Sequence, residues 1–177
     1  MVIYLLIRLG FDIMNIERKW CMPNKHTFQI KPIKEFLQFH LAEISPDKIV
    51  DPFCGESTLA GIRNDIRFGG IDALDFLKKI ETGSVSAVLF DPPYSLRQLK
   101  ECYEGIGRAL TWYESKFYFH EIKDEIKRIT TTGSVVFSFG WNSGGMGMNR
   151  NFKMLDILLV PHGGLHNDTI VVKEIKK

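Results

Sequence analysis

An uncharged run of six residues, Val85–Phe90, ends at the tetrapeptide Asp91-Pro92-Pro93-Tyr94. A short apolar run bounded by turn-forming residues predicts a buried strand, and the prolines end it because proline cannot donate to a strand ladder. A carboxylate, two rigid prolines and an aromatic ring at the end of a buried strand can together grip a planar base that carries an amine. The alternative is a plain acidic turn, since Asp-Pro is a common exit from a strand.

Two further elements lie upstream of this strand. The segment Asp51–Thr58, which reads DPFCGEST, follows the strand-like run Lys48–Val50, and the segment Phe28–Ile33 precedes both. Open α/β sheets bind ligands at the carboxyl ends of their parallel strands, where Asp51 and Asp91 would both lie. The order of these elements therefore favours an α/β fold with a ligand site at that edge.

The stretch between the two Asp-Pro elements limits how the sheet can be built. Only 26 residues, 59–84, are available there, whereas a parallel crossover normally takes a dozen residues or more. If the second strand ended at Asp72, the remaining residues 73–84 would hold one helix and leave no room for a third strand before Val85. We therefore expect strands at Ile62–Ile66 and Gly70–Ala73, a short helix at Leu74–Ile80 and reduced crossover helices. One face of the sheet should then be thin, and covered by the N-terminal segment or by a partner chain.

Hydrophobic periodicity predicts the remaining elements. Apolar residues at helical spacing indicate amphipathic helices over Pro32–Leu41 and Lys116–Thr130. The other predicted strands are Lys48–Phe53, Gly133–Phe139, Met154–Val160 and Thr169–Glu174.

Length and composition indicate one soluble globular domain. The chain has 177 residues, of which 45% are hydrophobic and 25% charged, enough to bury a core without disulfides or metals. We expect an N-terminal extension over residues 1–23 and a single catalytic domain over residues 24–177. The apolar stretch Met1–Leu9 is short and carries Arg8, so it indicates a packed segment or an extension rather than a secretion signal or a membrane span.

The cysteines and the net charge indicate compartment and partners. The three cysteines are widely spaced, which favours neither a disulfide framework nor a zinc site and fits a reducing cytoplasm. A net charge of +2 is only weakly basic, so local clusters of charge would have to guide any nucleic acid. His162 and His166 straddle two glycines, which makes a metal-binding helix improbable, and we expect no metal.

Taken in order, the three elements resemble the motifs of S-adenosylmethionine-dependent adenine-N6 DNA methyltransferases, and in particular the small phage-type enzymes. The resemblance runs from about Asn24 to Lys173. It implies a Rossmann-like methyltransferase fold, with a mostly parallel seven-stranded sheet whose last strands include one antiparallel strand. Glu56-Ser57-Thr58 departs from the usual motif, in which a second glycine stands.

The resemblance also implies S-adenosylmethionine as cofactor and assigns residues to it. Asp51 would neutralise the amino group of the methionine end, Asp65 would accept from the ribose hydroxyls, and Asp72 would accept from the adenine amine. The whole cofactor set is Phe28, Lys31, Pro32, Asp51, Phe53, Gly55, Asp65, Asp72 and Ala73.

The implied reaction transfers a methyl group to the exocyclic amine of a flipped adenine in DNA. That amine is a poor nucleophile because its lone pair is delocalised into the ring. Hydrogen bonds accepted by the carboxylate of Asp91 and the carbonyl of Pro92 would free the lone pair, while Tyr94 would stack on the extruded base. The implied catalytic residues are Asp91, Pro92, Pro93 and Tyr94, and the substrate-binding residues are Tyr94, Arg97, Trp141 and Asn142.

The sequence has no room for a separate recognition domain. Sequence recognition is expected from the loops Ser95–Gly107 and Gly140–Lys153, from a second copy in a homodimer or from a recognition subunit; otherwise sequence specificity is expected to be low. The glycine-rich part, Gly140–Gly147, could cradle a phosphate, act as a lid or be a flexible loop. Other substrates that fit the motif are cytosine-N4 in DNA and adenine in RNA. A non-catalytic nucleic-acid-binding subunit with the same fold is the alternative of another class.

Overall fold

A seven-stranded sheet organises the protein in the computed structural model, which describes residues 14–177. The strands are β1 (Asn15–Arg18), β2 (Ile49–Asp51), β3 (Ile62–Arg63), β4 (Val85–Phe90), β5 (Thr130–Gly140), β6 (Phe152–Val160) and β7 (Thr169–Lys176). Their order across the sheet is β1-β6-β7-β5-β4-β2-β3. Only β7 runs antiparallel to its neighbours, β5 and β6, and the other pairs are parallel. The predicted fold class is therefore confirmed.

Four α-helices accompany the sheet in the described chain. They are α1 (Lys31–Leu41), α2 (Ala73–Lys78), α3 (Leu96–Glu104) and α4 (Trp112–Ile129). Within residues 14–177, none of them is long and apolar enough to cross a membrane.

The predicted third strand is wrong, although the number of strands is right. Gly70–Ala73 is not a strand, because the side chain of Asn64 takes over the backbone of Ile71. Its amide nitrogen donates to the Ile71 carbonyl at 2.9 Å, and its oxygen accepts from the Ile71 N–H at 3.0 Å. The chain then turns directly into α2. The seventh strand is β1, from the predicted extension of residues 1–23, and it pairs with β6. Residues 1–13, which include Met1–Leu9, lie outside the described residues.

The crossovers are reduced, as predicted. Residues 52–61, between β2 and β3, contain no helix, and α2 is the only α-helix between β3 and β4. The strand predicted over Ile62–Ile66 shortens to Ile62–Arg63, because Asp65 begins a 3₁₀ turn by accepting a hydrogen bond from the Arg67 N–H at 2.9 Å.

The helices are distributed unequally over the two faces. One cluster of buried residues joins α2, α3 and α4 to Val50, Val88 and Val136 of the sheet. The opposite cluster contains α1, with Ile33 and Leu37, packed on Leu89, Phe137 and Val171. The thin face is therefore covered by the segment that immediately precedes β2.

Helix α3 replaces the predicted loop Ser95–Gly107. The Ser95 hydroxyl caps the helix by accepting from the Gln98 N–H at 3.2 Å. This is the first half of the Ser-x-x-Gln capping pattern, which was readable in the sequence. Helix α4 likewise begins four residues before its predicted start at Lys116, behind a complete capping box of Thr111 and Glu114.

The sheet brings several chain segments to one edge. The carboxyl ends of β2, β4 and β5 lie there because these strands are parallel. Since β7 runs in the opposite direction, its first residues meet the end of β5, with Ile170 opposite Gly140. The turn that joins β6 to β7 consequently lies at the same edge.

Candidate active site

A cavity of about 950 Å³ opens at the carboxyl edge of the sheet. It brings together ten of the residues predicted from the sequence: Phe28, Phe53, Gly55, Asp65, Ala73, Asp91, Pro92, Pro93, Tyr94 and Trp141. Loops after β2 and β3 form one part of its wall, and the tetrapeptide after β4 forms another. The cavity thus unites the two Asp-Pro elements that are 40 residues apart in the chain (91 − 51).

Asp91 and Tyr94 contact each other directly. The Tyr94 hydroxyl donates a hydrogen bond of 2.7 Å to Oδ1 of Asp91. Burial raises the pKa of Asp91 to about 6, against the opposing effect of hydrogen bonds from Tyr94 and Thr27. Burial and the neighbouring carboxylate also raise the pKa of Tyr94, which therefore remains a proton donor. Oδ1 of Asp91 is therefore an acceptor that the Tyr94 hydroxyl already occupies.

Tyr94 is fixed at both its backbone and its ring. Its N–H donates to Oε1 of Gln98 in α3 at 2.7 Å, and its ring meets Trp141 edge-on, with centroids 5.8 Å apart. Trp141 follows β5 immediately, so the two strands β4 and β5 place this aromatic pair at the cavity. A planar ligand entering here meets aromatic surface beside a carboxylate.

The loops after β2 and β3 are joined by Asp65. Its Oδ2 accepts from the Gly55 N–H at 3.0 Å, and the Arg67 guanidinium holds it with two bonds of 3.1 and 2.8 Å. Burial opposes ionisation, but the hydrogen bonds and charge of Arg67 outweigh it and lower the pKa of Asp65. Gly55 adopts φ of 52°, a left-handed conformation that glycine permits. Asp65 is therefore a firmly ionised carboxylate at the cavity wall.

Asp51 is buried at the end of β2 and does not line the cavity. Its Oδ1 accepts from the Phe53 N–H at 3.1 Å, while Oδ2 has no hydrogen-bond partner. Burial raises the pKa of Asp51 well above its usual value, and the negative charges of Asp91 and Asp65 add to that effect. Buried carboxylate oxygens in native proteins rarely lack a hydrogen-bond partner. Oδ2 of Asp51 therefore has unused hydrogen-bonding capacity, beside the loop after β2 that lines the cavity.

Five other predicted residues lie outside the large cavity. Asp72 caps α2 by accepting from the Leu74 N–H at 2.8 Å, and its second oxygen binds the hydroxyl of Tyr103 and the guanidinium of Arg108. The remaining four are on neighbouring elements: Lys31 and Pro32 at the start of α1, Arg97 on α3 and Asn142 after β5.

These four residues have other surroundings. Lys31 is exposed and Pro32 is buried. Arg97 pairs on the surface of α3 with Glu101 at 2.7 Å. Asn142 accepts from the Gly144 N–H at 2.9 Å and lines a separate cavity of about 100 Å³ that also touches Pro92, Pro93 and Tyr94.

The second half of the glycine-rich stretch Gly140–Gly147 is anchored to the body of the fold. Glu174 of β7 accepts from the N–H groups of Met146 and Gly147, and Lys123 of α4 donates to the carbonyl of Gly145. Met146 is buried. This half of the stretch is a fixed loop, because a buried carboxylate holds its backbone.

Several cavity residues were missed by the sequence analysis. Gln98 had a readable signal in the helix cap at Ser95. Thr27 had none, because the fold brings Asp91 to it. Arg67 lies only two residues from Asp65, and its pairing with that carboxylate was overlooked. The turn of residues 161–168 also reaches the cavity, through His162, Leu165, His166 and Asn167.

His162 has structural partners. It is buried, with Nδ1 at 2.8 Å from the carbonyl of Cys21 and Nε2 at 2.9 Å from the hydroxyl of Thr169. In the described part of the chain, no three His, Cys, Asp or Glu side chains form a group that could hold a metal ion. His162 instead ties the β6–β7 turn to the N-terminal segment.

Comparison with solved structures shows the class of fold. TrmN from Thermus thermophilus matches with a TM-score of 0.52 and 15% identity, over 84% of this chain and 49% of that one, so this chain spans about half the length of TrmN. Precorrin-6y C5,15-methyltransferase from Geobacter metallireducens matches with a TM-score of 0.55 and 10% identity, over 90% of this chain and 95% of that one. No family model and no curated protein matches the sequence. The chain has the Rossmann-like fold found in methyltransferases.

Proposed function

We propose that this protein transfers a methyl group from S-adenosylmethionine to the N6 amine of adenine in DNA. The observation that carries the proposal is the Asp91-Pro92-Pro93-Tyr94 tetrapeptide at the end of β4, facing the same large cavity as the loops after β2 and β3. An acceptor for an amine and a site for a second ligand thus share one space. DNA as substrate and adenine as target base come from the resemblance of the motifs.

The residues after β2 and β3 suit a cofactor that carries positive charge. S-adenosylmethionine, when bound, supplies an electrophilic methyl group on a sulfonium. The unpartnered Oδ2 of Asp51 would accept from its amino group, once this buried carboxyl becomes accessible from the cavity and ionises beside that positive charge. The ionised Asp65 would accept from ribose hydroxyls, once its bonds to Arg67 rearrange. Phe28 and Phe53 provide apolar surface in the same cavity. Asp72 is engaged with three other groups and would hold the cofactor only through α2, which it caps.

The residues after β4 would activate the target amine. Asp91 would accept one N–H of the amine and the carbonyl of Pro92 the other, so that the nitrogen lone pair becomes available for in-line attack on the methyl carbon. The N–CH₃ bond would form as the S–CH₃ bond of the donor breaks. S-adenosylhomocysteine would leave as a neutral thioether, and the surplus proton of the amine would pass to the Asp91 carboxylate. The Tyr94 hydroxyl would release Oδ1 of Asp91 when the amine arrives, and its ring would stack on the base. Positioning and local electrostatics would supply most of the rate.

The first experiment incubates the purified chain with methyl-labelled S-adenosylmethionine and unmethylated duplex DNA. We expect label on adenine N6, identified by mass spectrometry, and a loss of at least about a hundredfold in kcat/KM for Asp91→Ala, because the essential acceptor is gone. Asp75→Ala removes an exposed aspartate of α2 that lines neither cavity, so it is the matched control and should change the rate little. Label on cytosine would change the target base, and transfer only when RNA replaces the DNA would change the substrate. Cofactor binding without transfer to either nucleic acid would favour a non-catalytic subunit.

The rate should depend on pH through Asp91. Its ionised carboxylate is the strong acceptor that the amine needs, whereas the protonated acid is a weaker acceptor that also carries an O–H donor, and its pKa is raised to about 6. We therefore expect kcat/KM to be constant at and above pH 7 and to fall about tenfold per unit well below pH 6. Initial rates at saturating cofactor in a constant-ionic-strength buffer series measure this. An acid limb near pH 4 would show that Asp91 is ordinary in the working enzyme.

A further inference from the structure

The turn between β6 and β7 presents a large apolar side chain to solvent at the rim of the cavity. Residues 163–168 are all exposed, and the side chain of Leu165 is fully so. Gly163 and Gly164 precede it with φ angles of 72° and 61°. Two consecutive left-handed residues reverse the chain sharply, and glycine adopts that conformation without steric cost. Leu165 therefore stands at the tip of the turn.

The base of this turn is fixed. His162 bonds at once to the Cys21 carbonyl and the Thr169 hydroxyl, at 2.8 and 2.9 Å, and the His166 N–H donates to the Gly163 carbonyl at 3.3 Å. Because the residues at the base of the turn are buried and hydrogen-bonded, Leu165 can press against a partner while the turn keeps its conformation.

The position of the turn in the sheet places it on the target side of the cavity. Across the sheet, the loops after β2 and β3 come first, then the tetrapeptide after β4, then Trp141 after β5, and then the turn at the start of β7. Leu165 lines the same cavity as Tyr94 and Trp141. The turn thus lies beyond the aromatic pair, on the side away from the predicted cofactor loops.

We propose that Leu165 is a wedge that enters the DNA base stack and fills the space left by the extruded adenine; this rests on the proposed function. Extruding a base leaves a gap in the stack, and proteins that deform DNA commonly insert Leu, Ile, Phe or Met at such steps. His166 and Asn167 follow Leu165 in the exposed turn, and Lys25 lines the same cavity, so these side chains can bind phosphate or base edges. An exposed apolar tip next to such side chains fits a nucleic acid better than an apolar protein surface.

The test compares Leu165→Ala on two kinds of substrate. One is a fully paired duplex, and the other has the target adenine opposite an abasic site, where the base is already unpaired. We expect a loss of about tenfold or more in kcat/KM on the paired duplex, little loss on the abasic duplex, and an unchanged Kd for S-adenosylmethionine. Leu165→Phe should retain the activity because it still fills the gap. Fluorescence of 2-aminopurine at the target position reports extrusion directly.

Phe39→Ala is the matched control, because Phe39 is also a large exposed apolar residue and lines neither cavity. Equal rates for Leu165→Ala and Phe39→Ala on the paired duplex would overturn the wedge, and so would an equal loss on paired and abasic duplexes. A wild-type chain that binds S-adenosylmethionine but methylates no DNA would overturn the proposed function itself, and the wedge with it.

Discussion

At the scale of the single residue, Asp91 is where the requirements of chemistry and of stability oppose each other. Burial raises its pKa to about 6 from an ordinary value of 3.8, although hydrogen bonds from Tyr94 and Thr27 act to lower it. Below about pH 4 the carboxyl is protonated in both the folded and the unfolded chain, and no penalty arises. Between pH 4 and 6 the unfolded chain ionises first, so stability falls as pH rises. The ionised acceptor is thus maintained at neutral pH at the expense of folding.

We predict that Asp91→Asn stabilises the fold while removing activity. The amide keeps the shape and can accept from Tyr94, yet carries no charge, so the free energy of unfolding should rise by about 1–3 kcal/mol above pH 6. Urea unfolding at pH 8 and at pH 4 measures this, and the gain should disappear at pH 4. A variant no more stable than wild type at pH 8 would show that the charge of Asp91 costs nothing.

At the scale of the element, α3 sets the position of the tetrapeptide. Ser95 caps the helix, and Gln98, three residues later in its first turn, accepts a hydrogen bond of 2.7 Å from the Tyr94 N–H through its side-chain oxygen. Only residues 91–95 separate β4 from α3, and the cap at Ser95 fixes where the helix begins. The conformation of the tetrapeptide is therefore coupled to the cap.

We predict that Ser95→Ala lowers the free energy of unfolding by about 1 kcal/mol, because the Gln98 N–H loses its acceptor at 3.2 Å. Ser95→Asp should restore most of the loss, since aspartate is an equally good cap. Urea unfolding measures both. Ser143→Ala, in an exposed position of the loop after β5, is the control. A loss as small as that of the control would mean that the cap is not what stabilises α3.

At the scale of the whole molecule, the covering of the sheet is asymmetric. Three helices lie in one buried cluster, whereas within residues 14–177 α1 is the only helix in the other. That helix also follows directly after the segment with Thr27 and Phe28, whose ring lies 5.1 Å from that of Phe139. Loss of α1 would thus expose a face of the sheet and release one wall of the cavity together.

We predict that Leu37→Ala lowers the free energy of unfolding by about 2–5 kcal/mol, because it leaves a cavity under the only helix of that cluster in the described chain. Phe39→Ala, two residues away on the exposed side of α1, should change it by less than about 0.5 kcal/mol. Thermal or urea unfolding of the two variants measures the difference. Similar values for both would mean that α1 contributes little to the closed fold.

The sequence by itself determined six of the seven strands, β2 to β7, and the candidate motifs. The run Val85–Phe90 became β4 without change of bounds, and the short spacing after Asp51 required reduced crossovers. These features are local: apolar periodicity and proline act on the residues beside them. The predicted loop Ser95–Gly107 was wrong, because Ser95-x-x-Gln98 was not recognised as the cap of a helix.

Tertiary structure alone decided which polar groups meet. Asn64 binds the backbone of Ile71 and prevents a strand there, Thr27 bonds to Asp91, and Asp72 binds Tyr103 and Arg108. It also decided that β1 completes the sheet and that the turn with Leu165 reaches the cavity. Hydrogen-bond partners distant in sequence depend on the path of the whole chain, which periodicity along one segment does not encode.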